Sequence, residues 1–486
     1  MTHYDLLVIG TGSGNSIVDE RFSTQRVAIA ESGLFGGTCL NVGCIPTKMF
    51  VHTADLAVAA GESERFGITT RFESADWPAI RDRIFNRIDP IESDGRDYRT
   101  NRLPNVTVHP EHVRFTGPKS FRTESGFDFT ADRVVIAAGS RPNIPRIPGL
   151  DAERVDAPGY PVLTSDTVMR MEELPRSMTI VGGGVVAVEF AHVFSALGVE
   201  VTVLVRGSGL LTDTDETVSQ RFTEAFAERH HVVLGSQIDT IELTESGVLI
   251  EVGASDRVPE AEVPAPFTSD VLLLATGRSP NIFGLGAEAA GIDTAHGRIA
   301  VDAYQRALSG GAPLPGVFAL GDVSSPYQLK HVANHEADVV QANLLADIAT
   351  GEIGTAREDQ LRRTNHHAVP AAVFSDPQTA TVGATEAELR DFGVDYTCKI
   401  QEYSDVAYGW ALEDSTGFAK VLADRHSRRI LGAHIVGHEA SMIIQPLVQA
   451  MAFGLPADVM ASGQYWIHPA LPEVVENALL GLEFAD

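Results

Sequence analysis

Short apolar runs that end in glycine or a single charge set the rhythm of this chain. YDLLVIG stands at 4 to 10, RVAIAE at 26 to 31, VVIAAGSRP at 134 to 142 and SMTIVGG at 177 to 183. VTVLVR follows at 201 to 206, LLLATGRSPN at 272 to 281 and VFALGD at 317 to 322. Each run predicts a short strand closed by a turn. Two stretches, YDLLVIGTGSGNS and SMTIVGGGVVAVEFA, share one grammar: strand, glycine-rich turn, helical pattern, then a second strand. That is the opening βαβ unit of a dinucleotide-binding domain, used twice. From about residue 350 the pattern changes to strands (AAVFS, GFAKVLAD, ILGAHIVG) and helices (ASMIIQPLVQAMAFG, PEVVENALLGL) without nucleotide grammar.

The predicted class is α/β, with two Rossmann-like domains and a C-terminal α+β domain for dimerisation. The expected division is 1–150 and 281–348 for the first nucleotide domain, 151–280 for the second and 349–486 for the interface. Pro/Gly-rich SGGAPLPG, 309 to 316, predicts a surface loop, as does 253 to 270 with its three prolines.

The two glycine turns differ in one informative place. In the first, Gly10 and Gly12 form the turn with Ser13 and Gly14, and the second strand ends in Glu31, 21 residues after Gly10. An acid there accepts hydrogen bonds from an unmodified ribose. In the second, Gly182, Gly184 and Ala187 form the turn and the strand ends in Arg206, a cation suited to the 2′-phosphate of NADPH. Gly139 and Gly277, the latter followed by Arg278, mark junctions where the chain leaves one nucleotide domain for the next.

Composition narrows the partners. The 486 residues carry 37 Lys and Arg against 65 Asp and Glu, a net charge of −28. Such a surface repels nucleic acid and anionic lipid, and an anionic cofactor needs local positive charge. No basic segment with an apolar run opens the chain, and no run is long enough to span a bilayer, so a cytoplasmic protein is expected.

Three cysteines are no disulfide framework. Cys398 in YTCKI reads as a packed thiol; Cys39 and Cys44 in GGTCLNVGCIPTK call for another explanation. Metal sites use closer spacing and a second ligand cluster, which the sequence lacks. Two cysteines among glycines would fill little core. A redox pair fits better, with a geometric condition. On a regular helix, positions i and i+5 lie roughly 8–9 Å apart, whereas a disulfide needs less than about 7 Å. The helix must therefore be distorted; Gly43 permits this, and Pro46 disfavours helix at Ile45. A breakable disulfide in a reducing compartment is normally catalytic. Reducing it with a nicotinamide requires an intermediary, and the two repeats provide for one: FAD in the first, NADPH in the second.

GGTCLNVGCIPTK resembles the redox motif of the pyridine nucleotide–disulfide oxidoreductases, and the resemblance spans nearly the whole chain. It implies that Gly37 and Thr38 belong to the cofactor site, that Cys44 lies against the flavin and that Cys39 attacks a low-molecular-weight disulfide. Lys48 resembles the lysine paired with Glu189 near the flavin, and Asp322 the aspartate that accepts a ribitol hydroxyl. His468, Pro469 and Glu473 in HPALPE match the family's H-P-x-x-x-E signature. Imidazole can accept a proton from the attacking thiol and return it to the leaving one, and Glu473 would fix its tautomer. In the family this histidine serves the partner subunit, which implies a homodimer.

Two departures stand out. Asn15 replaces the third glycine of the first turn, and Thr212 stands where NADPH-specific relatives carry a second arginine, so NADH remains possible. An NAD-linked dihydrolipoamide dehydrogenase is the competing member; Arg206 stands where it usually carries an acid. A flavoprotein binding module without catalysis is the reading from another class, opposed by the intact Cys39, Cys44, His468 and Glu473.

Overall fold

In the strand Thr2–Ile9 every residue from Leu6 to Ile9 is buried, so the run needs cover on both faces. The computed structural model, which describes residues 1–485, provides it by alternation. Leu7, Ile9, Ala28, Ala30, Val134 and Ile136 enter one core; Leu6, Val8, Val27, Ile29 and Val135 enter another. This is the two-residue period of a strand, carried across parallel neighbours: Thr2–Ile9 lies between Val27–Ala30 and Asp128–Ile136.

The chain divides into two compact units. The first gathers Met1–Thr47, Ala79–Asn143 and Arg278–Asn365. Its main sheet runs in the order Arg306–Ser309, Ala312–Ala319, Asp128–Ile136, Thr2–Ile9, Val27–Ala30, Val106–His109. The helix Lys330–Ala349 buries Ala337, Val340 and Leu344 in one of its cores. A buried ion pair, Arg133 Nε to Asp347 Oδ2 at 2.7 Å, joins that helix to the strand Asp128–Ile136.

The second unit comprises Lys48–Pro78, Ile144–Gly277 and the chain from His366 onwards. It holds a five-stranded parallel sheet in the order His231–Leu234, Glu200–Val205, Ser177–Val181, Val271–Leu274, Val162–Thr164. Its C-terminal part is a five-stranded antiparallel sheet, Pro370–Val373 to Tyr396–Glu402, packed with Glu473–Leu480 and other helices. Lys420, 1% exposed, is held there by Asp215 at 2.9 Å and Glu386 at 2.7 Å. The α/β class with a C-terminal α+β segment is thus as the sequence predicts. Among the described residues no helix is long and apolar enough to cross a membrane.

Four local expectations are corrected. The helix expected after the first glycine turn is replaced by two 3-10 turns, Ser13–Ser16 and Glu20–Phe22; Asp19 caps the second by accepting from the Arg21 N–H. The segment 309–316 is a hairpin, not a loop: Ser309 pairs with Ala312 around Gly310-Gly311, both at positive φ. Ile45 is helical despite the following proline, because Pro46 falls in the first turn of Cys44–Glu62, where its missing N–H has no intrahelical partner to lose. Of 253–270, Phe267–Ser269 forms an edge strand.

Candidate active site

The two cysteines lie on either side of a helix break. Gly37–Asn41 is a short helix that ends at Val42, and a new helix, Cys44–Glu62, begins after Gly43. Gly43 closes the break from both sides. Its carbonyl accepts the Thr47 N–H at 3.0 Å, and a Cβ on it would stand 3.0 Å from the Thr38 carbonyl oxygen. Asn41, buried, donates to the Phe35 and Gly37 carbonyls and holds the loop beneath. The distortion that a disulfide requires is therefore a complete break, with one cysteine on each side of it.

The surroundings of the two thiols set the charge. The Cys39 thiol is lowered to about 7, above all by the hydrogen bond from Cys44, against the effect of burial. The Lys330 ammonium and the backbone N–H groups of Cys44 and Ile45 lower it further. Those two N–H groups open the Cys44 helix, so the sulfur of Cys39 takes the place of a capping side chain and meets the positive end of the helix dipole. Cys44 is pushed well up by the same bond, by burial and by the charge on Cys39. The charge is thus shared unequally: Cys39 is favoured as thiolate and Cys44 as thiol.

The nucleotide turns repeat one frame. The Gly10 N–H bonds the Ala30 carbonyl at 2.8 Å and the Gly182 N–H bonds Leu204 at 2.9 Å. A Cβ on Gly10 would drive into the carbonyl of Ala137, and one on Gly182 into that of Ala275. Glu31 accepts from the Thr11 N–H at 2.9 Å, the Thr11 hydroxyl at 2.7 Å and the Gly33 N–H at 2.8 Å. Arg206 is exposed, with no carboxylate paired to it among the described residues. Asp322 accepts from Ser140 at 2.6 Å, and Arg278 donates to the same Ser140 hydroxyl at 3.0 Å, tying the junction after Gly139 to the VFALGD turn. Gly277, at φ +94°, precedes that arginine.

In the second unit, Lys48 and Glu189 meet at Phe374: the Lys48 ammonium lies 4.1 Å from its ring centre, and Glu189 accepts its N–H at 2.9 Å. His468 Nδ1 lies 2.7 Å from Glu473 Oε1, with the imidazole 70% exposed. Its Nε2 is left for other chemistry.

Comparison with known proteins gives this arrangement its family. The model of the pyridine nucleotide-disulphide oxidoreductases matches residues 4–337, and that of their dimerisation domain residues 369–479. The chain belongs to this family. It is 51% identical to the mycothione reductase of Mycobacterium tuberculosis over 99% of this chain and all of the relative. It is 30% identical to the dihydrolipoyl dehydrogenase of Bacillus subtilis, over 99% and 98% of the two chains. The HOCl-induced flavoprotein disulfide reductase RclA of Escherichia coli is similar in structure, with a TM-score of 0.80 and 25% identity over 98% of this chain and all of that one.

The family member described here is an FAD-dependent disulfide reductase with FAD and NADPH as cofactors, and its residues fit both. Around the first turn, Gly12 and Gly37 approach so closely that a Cβ on Gly37 would stand 2.7 Å from the Gly12 Cα. Asn15 Oδ1 is buried there without a partner among the described residues. Around the second, nothing lies within 4 Å of a Cβ on Gly184, which leaves the first N–H groups of the helix Val185–Ala196 open to an anion. Sequence reasoning missed several supporting residues. Glu336, fully buried, accepts the Gly321 N–H beside Asp322 at 2.7 Å. Asn41 and Ser140 lie inside GGTCLNVGCIPTK and VVIAAGSRP without a role that the pattern assigns them, and Phe374 lies in AAVFS, a run with no motif. Lys330 follows a turn-rich stretch, and only the fold brings it to Ser13, at 2.8 Å.

Proposed function

We propose that this reductase acts on mycothione, the disulfide of the cysteinyl-glucosamine-inositol thiol mycothiol, with Cys39, Cys44, His468 and Glu473 as its catalytic residues. The observation that carries the reading is the helix break between Gly37–Asn41 and Cys44–Glu62, which sets Cys39 and Cys44 on either side of it. The likeness to the Mycobacterium tuberculosis enzyme supports the choice of substrate. When bound, FAD takes hydride from NADPH and supplies two electrons to a disulfide.

The chain's own groups do the rest. Cys39, as thiolate, attacks one substrate sulfur; the S–S bond of mycothione breaks and one mycothiol leaves, taking a proton from His468 of the partner subunit. Cys44 then attacks the mixed disulfide at Cys39, its proton passing to that histidine and on to the second mycothiol. The Cys39–Cys44 disulfide is restored: two thiols have been oxidised and one disulfide reduced. Glu473 holds Nδ1, so Nε2 is the nitrogen that moves protons. Gly10, Gly12, Ser13, Gly14, Glu31, Gly37, Thr38, Gly139 and Asp322 are assigned to FAD, and Gly182, Gly184, Arg206, Gly277 and Arg278 to NADPH. Lys48 and Glu189 are assigned as the pair near the flavin. The dimerisation domain supports a homodimer, and a cytoplasmic location suits a thiol-disulfide cycle that runs towards thiol.

The test compares the disulfides of mycothiol, lipoamide and glutathione as oxidants, with NADPH and NADH each as donor. The expected result is turnover with mycothione and NADPH. Preference for lipoamide with NADH would make the chain a dihydrolipoamide dehydrogenase, and failure with every disulfide would leave a binding module.

A further inference from the structure

Lys330 opens the helix Lys330–Ala349 and is half-buried. Its ammonium donates to the Ser13 hydroxyl at 2.8 Å, and Ser13 in turn donates to Asn334, one turn along the same helix, at 3.2 Å. In a chain with 65 acids against 37 bases, no carboxylate is paired with it among the described residues. The turn that holds Ser13 is pressed through Gly12 against Gly37, the first residue of the helix that carries Cys39. An ammonium set into that corner without an acid is a charge waiting for a mobile partner.

We propose that Lys330 is the counter-ion of the reduced cysteine pair, a positioning residue that holds the negative charge left when the disulfide opens. This rests on the relay reading above. Opening the Cys39–Cys44 bond takes two electrons, supplied from NADPH through FAD, and one proton, leaving one thiol and one thiolate. The remaining charge has few neighbours to meet. The helix Gly37–Asn41 and the turn Ser13–Ser16 carry no other ionisable side chain. The Cys44 helix offers Lys48 one turn on; the Lys330 helix offers His331, His335 and Glu336, the last committed to Gly321. Lys330, set at Ser13 beside the Gly12–Gly37 contact that leads into the Cys39 helix, lowers both thiols.

The test is the pH dependence of iodoacetamide alkylation in the NADPH-reduced holoenzyme, with Cys39 and Cys44 followed separately by peptide mapping. In Lys330→Met the midpoint for the pair rises by about one unit, the effect of losing an opposite charge at close range. In Lys330→Arg it stays near the parent value. Lys330→Gln repeats the neutral arm should the methionine variant not fold. An unchanged midpoint in the neutral variants overturns the proposal, as does loss of flavin with an unchanged midpoint, which would assign the lysine to the cofactor's phosphates. A parent enzyme with no alkylation step near neutral pH overturns the relay reading itself and this inference with it.

Discussion

The two glycine turns start alike and end differently. Gly10 and Gly182 each fit under a neighbouring alanine carbonyl, at φ +100° and +137°. Beyond them the second turn runs into a regular helix, Val185–Ala196, with Ala187 buried at the third small position. The first puts Asn15 there and continues as two short 3-10 turns. The charges also differ: Glu31 is engaged with its own loop, while Arg206 reaches solvent with no acid paired to it among the described residues. The frame that turns a strand towards a pyrophosphate is thus fixed, whereas the groups that choose the nucleotide vary around it.

Each unit also carries one of two contrasting buried ion sites. Arg133 meets one carboxylate, Asp347, while Lys420 meets both Asp215 and Glu386. Removing Lys420 strands two acids in unit 2, so Lys420→Met should destabilise that unit by about 3–5 kcal/mol, and by more than Arg133→Met costs unit 1; calorimetry with resolved transitions checks the order. The pH dependence follows from the same site. Burial alone would raise the Asp215 and Glu386 carboxyls, but Lys420 holds both below the ordinary carboxylate range. Their contribution is present above the unfolded carboxylate values and is lost as pH falls through the lowered folded ones. Acid should therefore shift the unit 2 transition in the parent, and much less in Lys420→Met.

Gly182→Val tests whether the shared frame serves separate nucleotides. A side chain at that φ, against a carbonyl, carries strain of about 3 kcal/mol, or about a hundredfold in binding. Flavin absorbance should survive while reduction by NADPH falls by that factor; Gly10→Val should give protein without flavin. Loss of flavin from Gly182→Val would end the division of labour.

Arg206→Ala has a smaller and more selective effect. A charge-assisted hydrogen bond contributes about 1.5–3 kcal/mol, so the KM for NADPH should rise about tenfold or more while that for NADH stays level. Equal losses with both donors would show that Arg206 does not read the 2′-phosphate, as the absence of a second arginine at Thr212 leaves open.

Local patterns reveal what local chemistry builds. Strands such as Leu6–Ile9 and Val201–Val205, the glycine frame and the cysteine pair can be read from spacing, because each is made within a few residues, whereas the His468–Glu473 pair is legible only through the family signature that HPALPE matches. The fate of the first helix depends on Asp19 capping a new turn and on the packing of Gly14 against Ala137. Lys330, Glu336 and Ser140 reach the site only through pairings across more than 100 residues or through a helix with no motif. The sequence predicts a distortion between the cysteines, but its sharpness comes from Gly43 packing on Thr38.

Asn15→Ala gives the first turn the residue type of the second, and its outcome discriminates between two uses of one atom. Asn15 Oδ1 is buried without a partner among the described residues, and an unsatisfied acceptor costs about 1–3 kcal/mol. If the amide serves only the fold, removing it should raise the melting temperature of the apoprotein and leave flavin affinity alone. If the first turn departs from glycine in order to grip its dinucleotide, the apoprotein should gain stability while FAD binds about fivefold to tenfold more weakly, near 1 kcal/mol. The second result is expected, because a buried acceptor beside a pyrophosphate turn can be matched by a ribityl or ribose hydroxyl at little entropic cost. Titration of apoprotein with FAD, followed by flavin fluorescence, measures both variants on one scale and decides whether the two turns differ by accident of packing or by function.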